Sequence, residues 1–254
     1  MDIWVSAAWF LIALVAMILF RRWIEMHLQG FILLMTGHQG LAVWIFFLLF
    51  FPGILVHELS HWLMAKLLFV PTGRITIWPK VNRDGSVWLG TVEVGQTDTI
   101  RGSLIGLAPL ISGSAIAVLI GMHLQLGGWG NALLALDLPL LSSAIGSSLT
   151  MPDFWLWLYL LFAIANRMLP SPSDREPWKP VVVLLAIVAV VWIASGWTPQ
   201  LPVEVEQLIA ELGGFLIYAF SVTAAIDMAV ICLLAGVEGL LGLLLQRRVS
   251  YRSR

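Results

Sequence analysis

The chain has 254 residues, of which 59% are hydrophobic and only 11% charged, and its mean hydropathy is +0.92. Soluble domains carry roughly 25% charged residues, so the composition argues against a water-soluble domain, and a formal net charge of -1 offers no basic footprint for nucleic acid. The single cysteine, Cys232, excludes an intrachain disulfide framework, which leaves His, Asp and Glu as metal ligands.

Six apolar segments are long enough, or nearly so, to cross a hydrocarbon core that takes about 20 helical residues. They are 3–20, 41–70, 102–122, 154–169, 181–197 and 214–245. The expected fold is an all-α polytopic membrane protein of about six transmembrane helices with a small membrane-apposed β-hairpin. Residues 1–40 form its N-terminal helix and an outer interfacial segment. That first helix is read as retained: Asp2 stands where a signal peptide has a basic start, and Arg21-Arg22 where it has a small-residue cleavage site.

The second segment contains His57-Glu58-Leu59-Ser60-His61. Residues four apart share one face of a helix, so the two imidazoles can hold one Zn²⁺ with Glu58 beside them as general base. Ionisable groups at membrane depth cost about 2.5 to 3.5 kcal/mol each on insertion scales. Three within five residues call for a compensating partner such as a metal, the alternative being a helix-packing cluster of hydrogen-bonded histidines. A catalytic zinc site takes a third protein ligand. No histidine follows His61 at the spacing of the extended three-histidine arrangement.

After the second segment the pattern changes. Gly73-Arg-Ile-Thr-Ile-Trp78, the turn-like Asn82-Arg-Asp-Gly85 and Ser86-Val-Trp-Leu-Gly-Thr-Val-Glu-Val94 predict a β-hairpin at about 72–96, on the cytoplasmic rim beside the motif. Residues 121–151 and 198–213 read as outer loops, the second containing a short amphipathic helix after Pro202. The fourth segment ends in Asn166-Arg-Met-Leu-Pro170-Ser-Pro172-Ser-Asp174, where two prolines break the helix. Irregular backbone at membrane depth survives only when covered by protein or lining a wet cavity. Asp174 is therefore the preferred third ligand, with an ordinary helix stop as the competing reading. Asp227, Glu238, Asp137 and Asp153 are the other carboxylates considered, and Glu204, Glu206 and Glu211 fall on the outer side. Asp227 reads as a structural partner of Lys66 or Arg167, or as a replacement ligand. His27 and His38 carry no partner pattern.

If the six helices alternate, ten basic residues (Arg74, Lys80, Arg83, Arg101, Arg175, Lys179, Arg247, Arg248, Arg252 and Arg254) face two, Arg21 and Arg22. Both termini are then cytoplasmic. Trp78, Trp88 and Trp178 mark the inner interface, and Trp129, Trp155 and Trp197 the outer one. His57 lies about 24 Å below the outer end of its helix, in the cytoplasmic half of the membrane.

The two motifs together resemble the site-2 protease family of intramembrane zinc metalloproteases. His57-Glu58-Leu-Ser-His61 matches the first, and Asn166 with Asp174 eight positions later the second. Gly106-Leu-Ala-Pro109-Leu-Ile-Ser112 is similar to the family's Gly-Pro-x-x-Asn element, with Ala108 and Ser112 substituted. Arg175 stands where the family has glycine, and the prolines fall one place later. The resemblance implies a three-helix metalloprotease core within residues 41–180, with two additional C-terminal helices over 181–254. It also implies a bacterial plasma-membrane location, zinc ligands His57, His61 and Asp174, and Asn166 acting on the substrate backbone or oxyanion. The expected substrate is a transmembrane protein or peptide, single-pass, unwound and held extended along residues 86–94. The expected partners are that substrate and the lipid bilayer, with no nucleic acid. The readings from other classes are a metal-ion transporter or sensor and a non-catalytic scaffold of the same family.

Overall fold

A computed structural model describes residues 3–81, 87–134, 136–195 and 202–245. Among them are eight helices and four short strands. Helix α1 (Ile3–Thr36) turns at Gly37 into α2 (Gln39–Leu67). Gly37 has φ of 67°, a left-handed conformation that glycine adopts without a Cβ penalty.

The stripe of α2 that packs inward is also the stripe that carries the motif. Phe46, Phe50, Ile54, Glu58, His61 and Ala65 are all buried, at spacings of three or four residues. Its apolar upper half packs with Ile24 and Ile32 of α1 and with Ala163, so the same helical face is anchored by lipid-like side chains at one end and presents the histidines at the other.

Beyond α2 come β1 (Thr72–Thr76), β2 (Lys80–Val81), β3 (Val87–Trp88) and β4 (Thr91–Val94). β1 pairs antiparallel with β4 (Ile75 opposite Val92, Thr76 opposite Thr91), and β2 with β3 (Lys80 opposite Trp88). The expected hairpin is present. The turn at 82–85 and Ser86 lie outside the described residues. The hairpin's Trp78 packs its ring 6.1 Å from Trp44 and 6.0 Å from Phe47. Phe47 is ten residues before His57, about 15 Å along the helix, so the hairpin folds back along α2.

Helix α3 (Thr99–His123) starts at Asp98, whose carboxylate accepts from the Ile100 and Arg101 N–H groups at 3.0 and 2.9 Å. Residues expected as an outer loop form α4 (Leu126–Leu134) and α5 (Leu138–Leu149). A corner at Asp153, with φ of 57°, bends the chain by 99° into α6 (Phe154–Ala165). α6 is twelve residues long, shorter than the predicted fourth span, and ends at Ala165, ahead of Pro170 and Pro172.

Last come α7 (Trp178–Ser195) and α8 (Val203–Leu245). α8 joins the predicted surface helix and the last span into one continuous rod of 43 residues. Residues 196–201, with Trp197, and the basic residues Arg247, Arg248, Arg252 and Arg254 lie outside the described residues, as does Arg83.

Three described helices, α2, α3 and α8, are long and apolar enough to cross a membrane, and the bent pair α5 and α6 makes a fourth if taken as one span. α7 qualifies only as a shorter apolar helix over Trp178–Val188. α1 and α8 pack side by side in the same direction: Phe10 meets Phe220 at 5.6 Å, and His27 meets Glu238 at 2.8 Å. Strict alternation of six crossings would set the first and last helices antiparallel, whereas α1 and α8 run parallel, and the described residues hold three such spans, or four with the bent pair. Met17, Ala117, Leu161, Ala165, Met168 and Phe220 close the core where α1, α3, α6 and α8 meet.

Candidate metal centre

One turn of α2 sets His57 Nε2 and His61 Nε2 3.2 Å apart. The connection between α6 and α7 brings Asp174 to both: Oδ1 lies 3.2 Å from His61 Nε2, and Oδ2 lies 3.5 Å from His57 Nε2. One ligand atom from each residue lies within 4.8 Å of the others, so the group could hold a metal ion. Ligands about 2.0 to 2.1 Å from a tetrahedral ion stand about 3.3 Å apart, which is the spacing found here.

The other ring nitrogens decide the tautomers. His57 Nδ1 donates to the Arg167 carbonyl at 2.7 Å, and His61 Nδ1 donates to the Ile105 carbonyl at 2.8 Å. A carbonyl only accepts, so each Nδ1 carries a proton, and each Nε2 faces the carboxylate. Two imidazole nitrogens and a carboxylate converging in this way form a group that could hold a metal ion or share a proton.

Local backbone explains how a carboxylate between two helices reaches α2. The Ser171 N–H donates to Asp174 Oδ2 at 2.7 Å, and the Asp174 N–H donates to Ser171 Oγ at 3.3 Å, a closed turn of the kind Pro-Ser-Pro-Ser-Asp favours. Gly106 of α3 then lets that turn sit down: a Cβ there would collide with the Asp174 carbonyl oxygen. Gly106→Ala is therefore expected to lower metal affinity by about 10 to 100-fold, the range seen when supports of metal ligands are lost. Chelator competition checks this, with circular dichroism confirming that the helices persist. Arg175 is exposed, is not among the described residues with positive φ, and donates through Nε to the Ser171 carbonyl at 3.3 Å. The backbone there does not need glycine.

Glu58, next to His57 and buried at 8% exposure, lines the same cleft, of about 620 Å³, as the three ligands. Gly90, Thr91, Val92 and Val94 form its hairpin wall, and Thr97, Gly102 and Pro177 its mouth. Gly90 passes so close over Glu58 that a Cβ would stand 2.8 Å from Oε1. Ser60, inside the motif, bonds Ser112 of α3 and so ties the two helices that hold His61. Sequence reasoning missed Gly90 and the Gly106 contact, although Gly106 heads the Gly-x-x-Pro element already singled out.

Asn166 is placed elsewhere. It caps α6, and its Nδ2 donates to Asp227 Oδ1 of α8 at 2.6 Å and to the Phe162 carbonyl at 3.1 Å. It does not line the cleft, contrary to a direct role on substrate. Asp227 is fully buried and partners Asn166, in place of Lys66 or Arg167. His27 contacts Glu238, which corrects its reading as partnerless. Asp137 and Asp153 sit at the starts of α5 and α6, away from the ligands.

Comparison of the chain with protein-family models, with curated proteins and with solved structures gives no match.

Proposed function

We propose that the chain is an intramembrane zinc metalloendopeptidase that cuts transmembrane segments of membrane proteins, in the manner of the site-2 protease family it resembles. The observation that carries this reading is the pair of Nδ1 to carbonyl bonds that turn both Nε2 atoms toward Asp174, with Glu58 beside His57 in the same cleft. His57, His61 and Asp174 would hold Zn²⁺, whose preference for nitrogen and oxygen ligands in tetrahedral array suits this set.

Bound there, Zn²⁺ supplies Lewis acidity that polarises a carbonyl and acidifies water. Glu58 takes a proton from the attacking water on its carboxylate and delivers it to the leaving amine. Gly90 and β4 keep the base covered on one side. β4 pairs with β1 along one edge only among the described strands, so its other edge is available to hold an unwound substrate extended by backbone hydrogen bonds. A helical peptide bond is shielded by its own hydrogen bonds, and this pairing would offset the loss of them.

The chain is integral to the membrane in this reading, crossing it several times, with the cleft at membrane depth. A metal-ion transporter or sensor would need ligand sets in series, whereas one set is present among the described residues. Proteoliposomes containing the chain and a single-pass synthetic peptide separate the two. Cleavage within the apolar segment is expected, with no zinc uptake; uptake without cleavage would sink the peptidase reading.

A further inference from the structure

Helix α1 lies outside the three-helix core that the motifs define, yet it reaches the metal centre through one residue. Glu25 Oε1 lies 3.3 Å from Arg167 Nη1 and 3.0 Å from Arg21 Nε. The Arg167 guanidinium is enclosed by the rings of Phe46 and Phe50, whose centroids are 5.1 and 4.9 Å from its Cζ. Its Nε and Nη2 are buried without partners, and Glu25 is the one carboxylate at ion-pair distance among the described residues. Arg21 reaches further down the same stretch, donating through Nη1 to the Leu169 carbonyl at 3.3 Å. Arg21 was expected on the outer side; it lies beside the chain that leads to Asp174.

The carbonyl of Arg167 is the acceptor that fixes His57 Nδ1. A guanidinium held between two apolar rings stays there only while its charge is paired. Taking the carboxylate away leaves a cation that must move toward water, and the short turn carrying its own carbonyl moves with it. The tautomer and aim of the His57 ring depend on that carbonyl.

We propose that Glu25 is a positioning residue for the metal centre: through Arg167 it holds the carbonyl that orients His57. This rests on the metal reading of His57, His61 and Asp174. The consequence is that the N-terminal helix tunes metal affinity without touching the ion, and that the core alone would bind metal more weakly.

The test uses the purified full chain and four forms: wild type, Glu25→Ala, Glu25→Gln, and the exchange of Glu25→Arg with Arg167→Glu. Zinc Kd is measured by chelator competition, the His57 ligand field by visible absorption with Co²⁺, and the Tm of the metal-free protein in parallel. Glu25→Gln keeps the shape should Glu25→Ala fail to fold. Expected are an about 10 to 100-fold rise in zinc Kd for both single variants, an altered Co²⁺ spectrum, and recovery of both in the exchange. A fall in Tm with wild-type zinc Kd and Co²⁺ spectrum would make Glu25 merely structural and overturn the proposal. A wild type that binds neither metal would overturn it together with the metal reading. The expected zinc effects in a chain without peptidase activity would support the proposal and remove only the peptidase reading.

Discussion

Glu58→Gln is expected to reduce cleavage of a transmembrane peptide by about 10²- to 10⁴-fold, the span of general acid-base contributions, while about one zinc stays bound per chain. The amide keeps the shape of the side chain under Gly90 but cannot take a proton from water. Glu58 is not among the residues that converge on the metal position, so metal content should not change. Peptide cleavage measured beside metal analysis separates loss of the base from loss of the site. Undiminished cleavage would remove Glu58 from the mechanism.

Asp174→Ala and Asp227→Ala make the second large contrast. Both remove a carboxylate, but only Asp174 faces the imidazoles, at 3.2 and 3.5 Å. Asp174→Ala is expected to weaken zinc binding by more than the about 100-fold that outer supports of a metal site reach, and to end cleavage. Asp227→Ala should keep its zinc. Its cost is a buried Asn166 amide left without its best acceptor, on the order of 1 to 3 kcal/mol of stability. Metal analysis and thermal unfolding of the two variants side by side provide the check. Zinc loss from the Asp227 variant alone would reverse the ligand assignment.

The candidate metal group was legible in the sequence, its histidines because their spacing is a helical property. His57 and His61 share a face by arithmetic alone, and the prolines at 170 and 172 announce the broken helix that frees Asp174. Asn166 was not legible in the same way. An asparagine eight residues before a ligand matches the family pattern, but its amide direction is set by Asp227, sixty-one residues on, and no local pattern reports such a partner.

Charge was the least readable quantity. Arg21 and Arg22 are the two residues that run against the count of basic residues along the loops, because sidedness rules treat each cation as meeting water or lipid headgroups. Arg21 spends its charge inside the protein, on Glu25 and on the Leu169 carbonyl, which a count along the loops does not register. The helices over 126–149 were missed for a related reason: Gly127, Gly128 and Pro139 are loop punctuation in isolation. Trp129 Nε1, donating to Ser148 Oγ at 3.1 Å, holds α4 and α5 together across the turn. The hairpin was read from its residues, whereas its return along α2 to Trp44 depends on tertiary packing of aromatic rings.

Zinc content and cleavage of a single-pass synthetic peptide, measured on the purified chain as isolated, after complete chelation and after zinc is returned, test the central claim most directly. About one zinc per chain is predicted, with cleavage inside the apolar segment that disappears with the metal and returns with it. Cleavage that survives full removal of metal, or zinc bound at that stoichiometry with no peptide bond cut, would contradict it.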